Sequence, residues 1–205
     1  MRVLVACEFS GVVRTAFEYA GWDAYSCDLL PTERNYRTAN HFRGDVLTYL
    51  DARPWDLMIA HPPCTRLCVS GARWKYDPRF PNWKKEQDEA AEFFMKLVNA
   101  PIHRICVENP VSIMSSLYRK PDQIIHPWQF GHDASKATCL WLKNLPKLKP
   151  TLSLGGDRHT RRANQTASGQ NKLGPSPDRG QERSITYQGF ADAMASQWSG
   201  LMDFK

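Results

Sequence analysis

The sequence predicts an α/β fold, Rossmann-like, with a mostly parallel sheet and helices on both faces. Three observations predict it. Short apolar runs alternate with amphipathic helical stretches through the first 110 residues. The polar residues suited to chemistry follow the ends of those runs, where open α/β sheets bind their ligands. A chain of 205 residues with 42% hydrophobic content is long and apolar enough for one such domain.

Residues 2–7 (RVLVAC) form the first strand candidate. Residues 11–20 follow, with Val12, Val13, Ala16, Phe17 and Ala20 at helical spacing and Gly21 positioned to close the helix. Residues 22–27 read as a second strand and residues 45–47 as a short third. Residues 56–61 (DLMIAH) are a fourth and 102–107 a fifth. Between these two, 84–100 reads as an amphipathic helix with Ala90, Phe93, Phe94, Leu97 and Val98 on or near one face. The second half is less regular. Residues 123–130 and 138–142 are expected as two further strands at an antiparallel edge. Residues 155–183 read as a polar loop, rich in glycine, with Arg158, Arg161, Arg162, Lys172, Arg179 and Arg183 against Asp157, Asp178 and Glu182. A last helix, about 190–201, carries Ala191, Met194, Ala195 and Trp198. No repeat or linker divides the chain, so a single domain over residues 1–205 is expected, with no separate full-size recognition domain.

Composition narrows the function. No apolar run approaches the roughly 20 residues that cross a membrane. The opening MRVLVACEF lacks the order of a signal peptide, so a cytoplasmic location is expected. Of six cysteines, Cys7, Cys27, Cys106 and Cys139 sit in or beside strand candidates and read as small buried hydrophobes. There is no C-x-x-C pair and no H-x-x-x-H spacing, so neither a metal site nor a disulfide is expected. A net charge of +6 and a pI near 9.1 suit a polyanionic partner.

The strand ends carry the candidate chemistry. The first is followed by Glu8-Phe9-Ser10-Gly11 and the second by Asp28, and Gly44-Asp45 lies at the third. The fourth runs into His61-Pro62-Pro63-Cys64 and the fifth into Glu108-Asn109-Pro110. Singly, these are a turn glycine, a capping acid, a strand stop, an idle thiol and a solvated carboxylate. Together, all five fall on one side of one sheet. An acid after the second strand suits the hydroxyls of a ribose, and a glycine after the first allows close approach of a cofactor. Both suit any adenosine cofactor. However, Val12, Val13 and Arg14 follow Gly11, so the G-x-G-x-x-G of a pyrophosphate site is absent. S-adenosyl-L-methionine is the better expectation.

In order, F-S-G, an acid, G-D, P-P-C and E-N-P resemble the DNA cytosine carbon-5 methyltransferases, whose pattern is D-x-F-x-G-x-G, an acid, G-D-I, P-C and E-N-V. The resemblance covers residues 1–115, with Cys7, Val13 and Pro110 standing where the family has Asp, Gly and Val. Phe130-Gly131 with Lys136 and Thr138 faintly resembles the family's Q-x-R-x-R region. The compact form is similar to methyltransferase-like proteins of phages and prophages.

The resemblance implies a methyltransferase fold and a DNA substrate whose target cytosine is flipped from the duplex. Cys64 is then the nucleophile at carbon 6. Glu108 protonates ring nitrogen 3 if burial raises its pKa, and Asn109 fixes the loop. Phe9, Ser10, Gly11, Asp28, Asp45 and Pro62 are the expected cofactor-binding residues, with Asp28 on the ribose and Asp45 on the adenine amino group. Arg66, Arg73, Trp74, Lys136, Arg158, Arg161 and Arg162 are the expected nucleic-acid contacts. Two rivals stand beside this reading. One is the same cysteine chemistry on a free nucleotide or RNA; the other is a non-catalytic DNA-binding protein of the same fold.

Overall fold

The computed structural model describes residues 1–34, 38–176 and 178–200, with the side chains of 38, 72 and 73 outside that description. Arg73, an expected nucleic-acid contact, therefore lies outside the described side chains. Among the described residues, seven strands form one sheet: β1 (Arg2–Ala6), β2 (Asp23–Asp28), β3 (His41–Arg43), β4 (Leu57–Ala60), β5 (Arg104–Pro110), β6 (Gln123–Ile125) and β7 (Thr138–Lys143). Their order is β3-β2-β1-β4-β5-β7-β6. β1 to β5 pair in parallel, and β7 runs antiparallel to both β5 and β6. The sequence is read correctly as α/β with a mostly parallel sheet. The two further strands form its antiparallel edge, as expected. β7 lies between β5 and the edge strand β6.

Among the described residues, five α-helices accompany the sheet: α1 (Val12–Tyr19), α2 (Trp83–Val98), α3 (Met114–Leu117), α4 (Arg179–Ser184) and α5 (Gln188–Ser199). Alternation along the strands decides which face each covers. Val3 and Val5 of β1, with Leu57 and Ile59 of β4, pack under α1 and α5. Leu4 and Ala6, with Met58 and Ala60, pack under α2 and α3 through Phe94, Leu97 and Met114. Both faces are covered, so the central strands read as continuous apolar runs rather than alternating ones. The start of α5 demands glycine at 189. A Cβ there would come within 2.0 Å of the Phe130 carbonyl oxygen, while the Gly189 amide donates to His132 Nε2 at 2.9 Å.

Two local expectations are corrected. The third strand is His41–Arg43, and Asp45 instead caps a 3-10 turn by accepting from the Leu47 amide at 3.0 Å. Residues 155–183 are not loop throughout, because α4 begins at Arg179. No described helix is long and apolar enough to cross a membrane.

Candidate functional site

The parallel ladder that ends β4 fixes where its loop begins. The His61 amide donates to the Ala6 carbonyl at 2.9 Å, and Pro62-Pro63 then prevents the strand continuing. Cys64 follows, and its carbonyl accepts from the amides of Leu67 (3.0 Å) and Cys68 (2.8 Å), closing a turn. The end of β5 and the loop after it are bound to this one. Asn109 Nδ2 donates to the Pro62 carbonyl at 3.0 Å, and Ile113 and Leu67 are joined through their backbones at 2.9 Å. Asn109 is buried. Cys64 and Glu108 thereby line one cavity of about 270 Å³ with His61, Asn109, Lys136 and Arg183.

The electrostatics of this cavity depart from the expectation for Glu108. Burial raises its carboxyl, but the hydrogen bond from His61, the charge of Lys136 and contact with Thr138 together hold it below the usual glutamate value. His61 Nδ1 lies 3.3 Å from Glu108 Oε2, with both side chains almost out of solvent. Glu108 is thus a carboxylate at neutral pH rather than the ready acid inferred from burial alone. The Cys64 thiol moves the other way. Burial raises it most, then the charges of Glu108 and Cys68, with Lys136 opposing. At neutral pH the cavity holds a thiol beside a carboxylate.

A second cavity, of about 380 Å³, opens at the ends of β1, β2 and β3. Cys7, Cys27, Asp28, Gly44, Asp45, Pro63 and Phe93 are among its walls. It shares Pro63 with the Cys64 cavity. No Lys or Arg lines it among the described residues. Burial and the Asp28 and Asp45 charges push the Cys27 thiol up to about 12, so the sulfur wall stays neutral. Asp28 and Asp45 each accept one local amide, from Leu30 at 2.9 Å and Leu47 at 3.0 Å.

The first turn of α1, where dinucleotide folds seat a pyrophosphate, is already closed by a side chain. Glu8, buried, accepts from the amides of Val13 (2.6 Å) and Arg14 (3.2 Å). Gly11 precedes this turn with φ +68°, a left-handed conformation natural to glycine. A Cβ there would also stand 2.6 Å from Arg34 Cγ.

The structure gathers some of the expected site residues and separates others. Cys64, Glu108 and Asn109 share one cavity, while Asp28 and Asp45 share the next. Pro62 lines the Cys64 cavity, and it is Pro63 that reaches the acidic one. Phe9 and Ser10 are buried, and neither they nor Gly11 line the acidic cavity. Ser10 Oγ lies 3.5 Å from Glu8 instead.

The expected nucleic-acid contacts divide likewise. Arg66 pairs with Glu86 at 2.5 Å and lies over the rings of Trp83 and Phe80. Trp74 meets Phe80 edge-on and carries Arg79 over its face. These cations and aromatics stack on one another. Arg158 and Arg161 are exposed. Arg162 is 6% exposed, donates to the Gly155 carbonyl at 2.5 Å and lies over Trp128, so a phosphate contact is not open to it. Lys136 faces the Cys64 cavity and donates to the Arg183 carbonyl at 3.0 Å.

Sequence reasoning missed His61, Arg183 and Glu8. His61 and Glu8 did stand at strand ends, which is the signal that marked their neighbours. Arg183 gave none, because it reaches the cavity only through the packing of α4.

No protein-family model matches the chain, and no curated protein matches it in sequence. Solved structures with a related architecture include three nucleic-acid methyltransferases by their descriptions. A protein described as a DNA modification methyltransferase, encoded within an E. coli prophage, is 15% identical over 69% of this chain and 46% of its own, with a TM-score of 0.46. The S. pombe Dnmt2 methyltransferase is 17% identical over 75% and 52%, with a TM-score of 0.46. An rRNA methylase from Escherichia coli is 13% identical over 69% and 56%, with a TM-score of 0.40. The chain thus spans about half the length of each. The sheet itself is mostly parallel, as the sequence predicts, with antiparallel β7 between β5 and β6. At such identities the chemistry has to be read from the side chains.

Proposed function

We propose that the chain is an S-adenosyl-L-methionine-dependent methyltransferase acting on carbon 5 of cytosine in DNA, through a covalent adduct at Cys64. One observation carries the reading. A thiol and a carboxylate from adjacent strand ends, Cys64 and Glu108, line one cavity, and the next cavity along the rim is acidic and shares its Pro63 wall.

The donor set of the acidic cavity fits this cofactor. Two carboxylates, neutral thiols and the ring of Phe93 suit an adenosine that also bears cationic groups. Glu8 occupies the α1 amides that an anionic cofactor would need. Asp28 would take the ribose and Asp45 the adenine amino group. When bound, the cofactor supplies an electrophilic methyl group.

The chain's own residues do the rest. Cys64 adds to carbon 6, which makes carbon 5 enamine-like. Asn109 holds the loop through Pro62, and the prolines restrict the backbone that presents the thiol. Lys136 and Arg183 line the cavity and suit the phosphates flanking a flipped base.

Trapping tests the reading. A duplex containing 5-fluorocytosine lacks the carbon-5 proton whose removal releases the enzyme. Wild-type protein with cofactor should form a covalent adduct stable to denaturing electrophoresis, and Cys64→Ser should form none. Absence of a wild-type adduct on any pyrimidine nucleic acid would sink the proposal. An adduct on RNA alone would keep the chemistry and change the substrate.

A further inference from the structure

The Cys64 cavity contains a third titratable side chain that the reaction above does not use. His61 Nδ1 is 3.3 Å from Glu108 Oε2. Its Nε2 is buried with no hydrogen-bond partner among the described residues. On the far side, His61 is close enough to the buried Glu8 to act on its charge. An imidazole held between two buried carboxylates serves no purpose in packing that an apolar ring would not serve more cheaply.

We propose that His61 is the positioning residue of this site: its ring fixes the Glu108 carboxylate so that Glu108 receives the Cys64 proton and hands it to ring nitrogen 3 of the pyrimidine. The inference rests on the cysteine-addition reading above. The step balances without an outside acid or base. The S–H bond breaks and its proton goes to Glu108. The thiolate pair forms the S–C6 bond, the C5–C6 π pair shifts through carbon 4 to nitrogen 3, and the proton on Glu108 forms the N3–H bond. Glu108 ends as it began, ionised against His61.

The groups around the pair agree with this traffic. Cys64 faces Glu108 from β5, Cys68 from its own turn, and Lys136 from the approach to β7. Glu108 faces His61, Lys136 and Thr138. Arg183 of α4 lines the cavity. Burial and the Glu108 charge keep Cys64 a thiol, while His61, Lys136 and Thr138 keep Glu108 a carboxylate, so in the free protein the proton rests on sulfur and its transfer to Glu108 is uphill.

The test needs neither DNA nor methyl transfer. Iodoacetamide labelling of Cys64 is followed against pH by peptide mass spectrometry in the full chain, with Cys68 quantified in the same digests. Glu108→Gln removes the neighbouring charge and should speed Cys64 labelling near pH 7.5 by about tenfold. His61→Asn should speed it in the same direction, because Glu108 loses the partner that keeps it ionised. In the Glu108→Gln background, His61→Asn should change nothing further, a dependence that a merely structural role would not produce. Equal acceleration by His61→Asn in both backgrounds, or none in the wild type while Glu108→Gln accelerates, would overturn the inference. If His61→Asn does not fold, the carboxyl ¹³C shift of Glu108 in the wild type decides. Titration below the ordinary glutamate value is expected, and titration above it refutes the role. Because these readouts are separate from trapping, His61 can fail while the methyltransferase reading stands, and the reverse.

Discussion

At the scale of the residue, Glu8 shows how one side chain excludes a class of ligand. Its carboxylate satisfies two amides of the first turn of α1, groups that would otherwise seek an anion. Glu8→Ala strands both in a buried place and should cost about 1–3 kcal/mol in urea denaturation. The sign of its pH dependence follows from its pKa. Burial raises the carboxyl above the ordinary 4.5, against the lowering by His61 and the two amides. The native state therefore holds this proton more firmly than the unfolded chain, and stability from Glu8 falls as pH rises from 4.5 through the folded value. Glu8→Gln should remove that slope while retaining one of the amide contacts. A wild-type contribution that grew with pH through this window would show that the carboxyl is not raised.

At the scale of the element, the segment from Gly155 to α4 combines parts with opposite duties. Arg158 and Arg161 are solvent-facing, whereas Arg162 is a structural post under Trp128, with Asp133 3.7 Å away. Neutralising Arg158 and Arg161 together should reduce the salt slope of DNA binding by up to about 2, near one per phosphate contact. Arg162→Ala should instead lower thermal stability. If Arg162→Ala lowered the salt slope as neutralising Arg158 and Arg161 does, the burial of Arg162 would not describe the protein in solution. The 66–83 segment is read in the same way. Its alternation of cations and aromatics suggests a stacking surface for bases, yet Arg66 lies over the rings of Phe80 and Trp83, which meet each other edge-on.

At the scale of the whole molecule, two cavities sit along the carboxyl ends of the parallel strands and meet at Pro63. Covered on both faces, the sheet leaves this rim as the place where strand ends can present polar groups together. Separate cavities imply separable binding. Calorimetry with S-adenosylhomocysteine should show that Asp28→Ala weakens binding by about 1–3 kcal/mol, from the unpaired ribose hydroxyls. Cys64→Ser should leave it unchanged. No binding to the intact chain would remove the cofactor assignment, and equal loss in both variants would mean the cavities act as one.

The sequence by itself determined most of the alternation of strands and helices through residue 110, and with it the strand ends and turns that carry Asp28, Cys64 and Glu108. Those signals are local: apolar spacing within ten or so residues, and prolines and glycines that stop an element where they stand. Boundaries of β1, β4, α1 and α2 accordingly fell within a few residues of their places. Tertiary structure alone decided the seating of β7 inside the sheet, the burial of Arg162, and the delivery of Lys136 and Arg183 to the Cys64 cavity. It also decided the charge on Glu108. That carboxylate meets His61 across 47 residues of chain, and its ionisation is set by neighbours in space that no window along the sequence brings together.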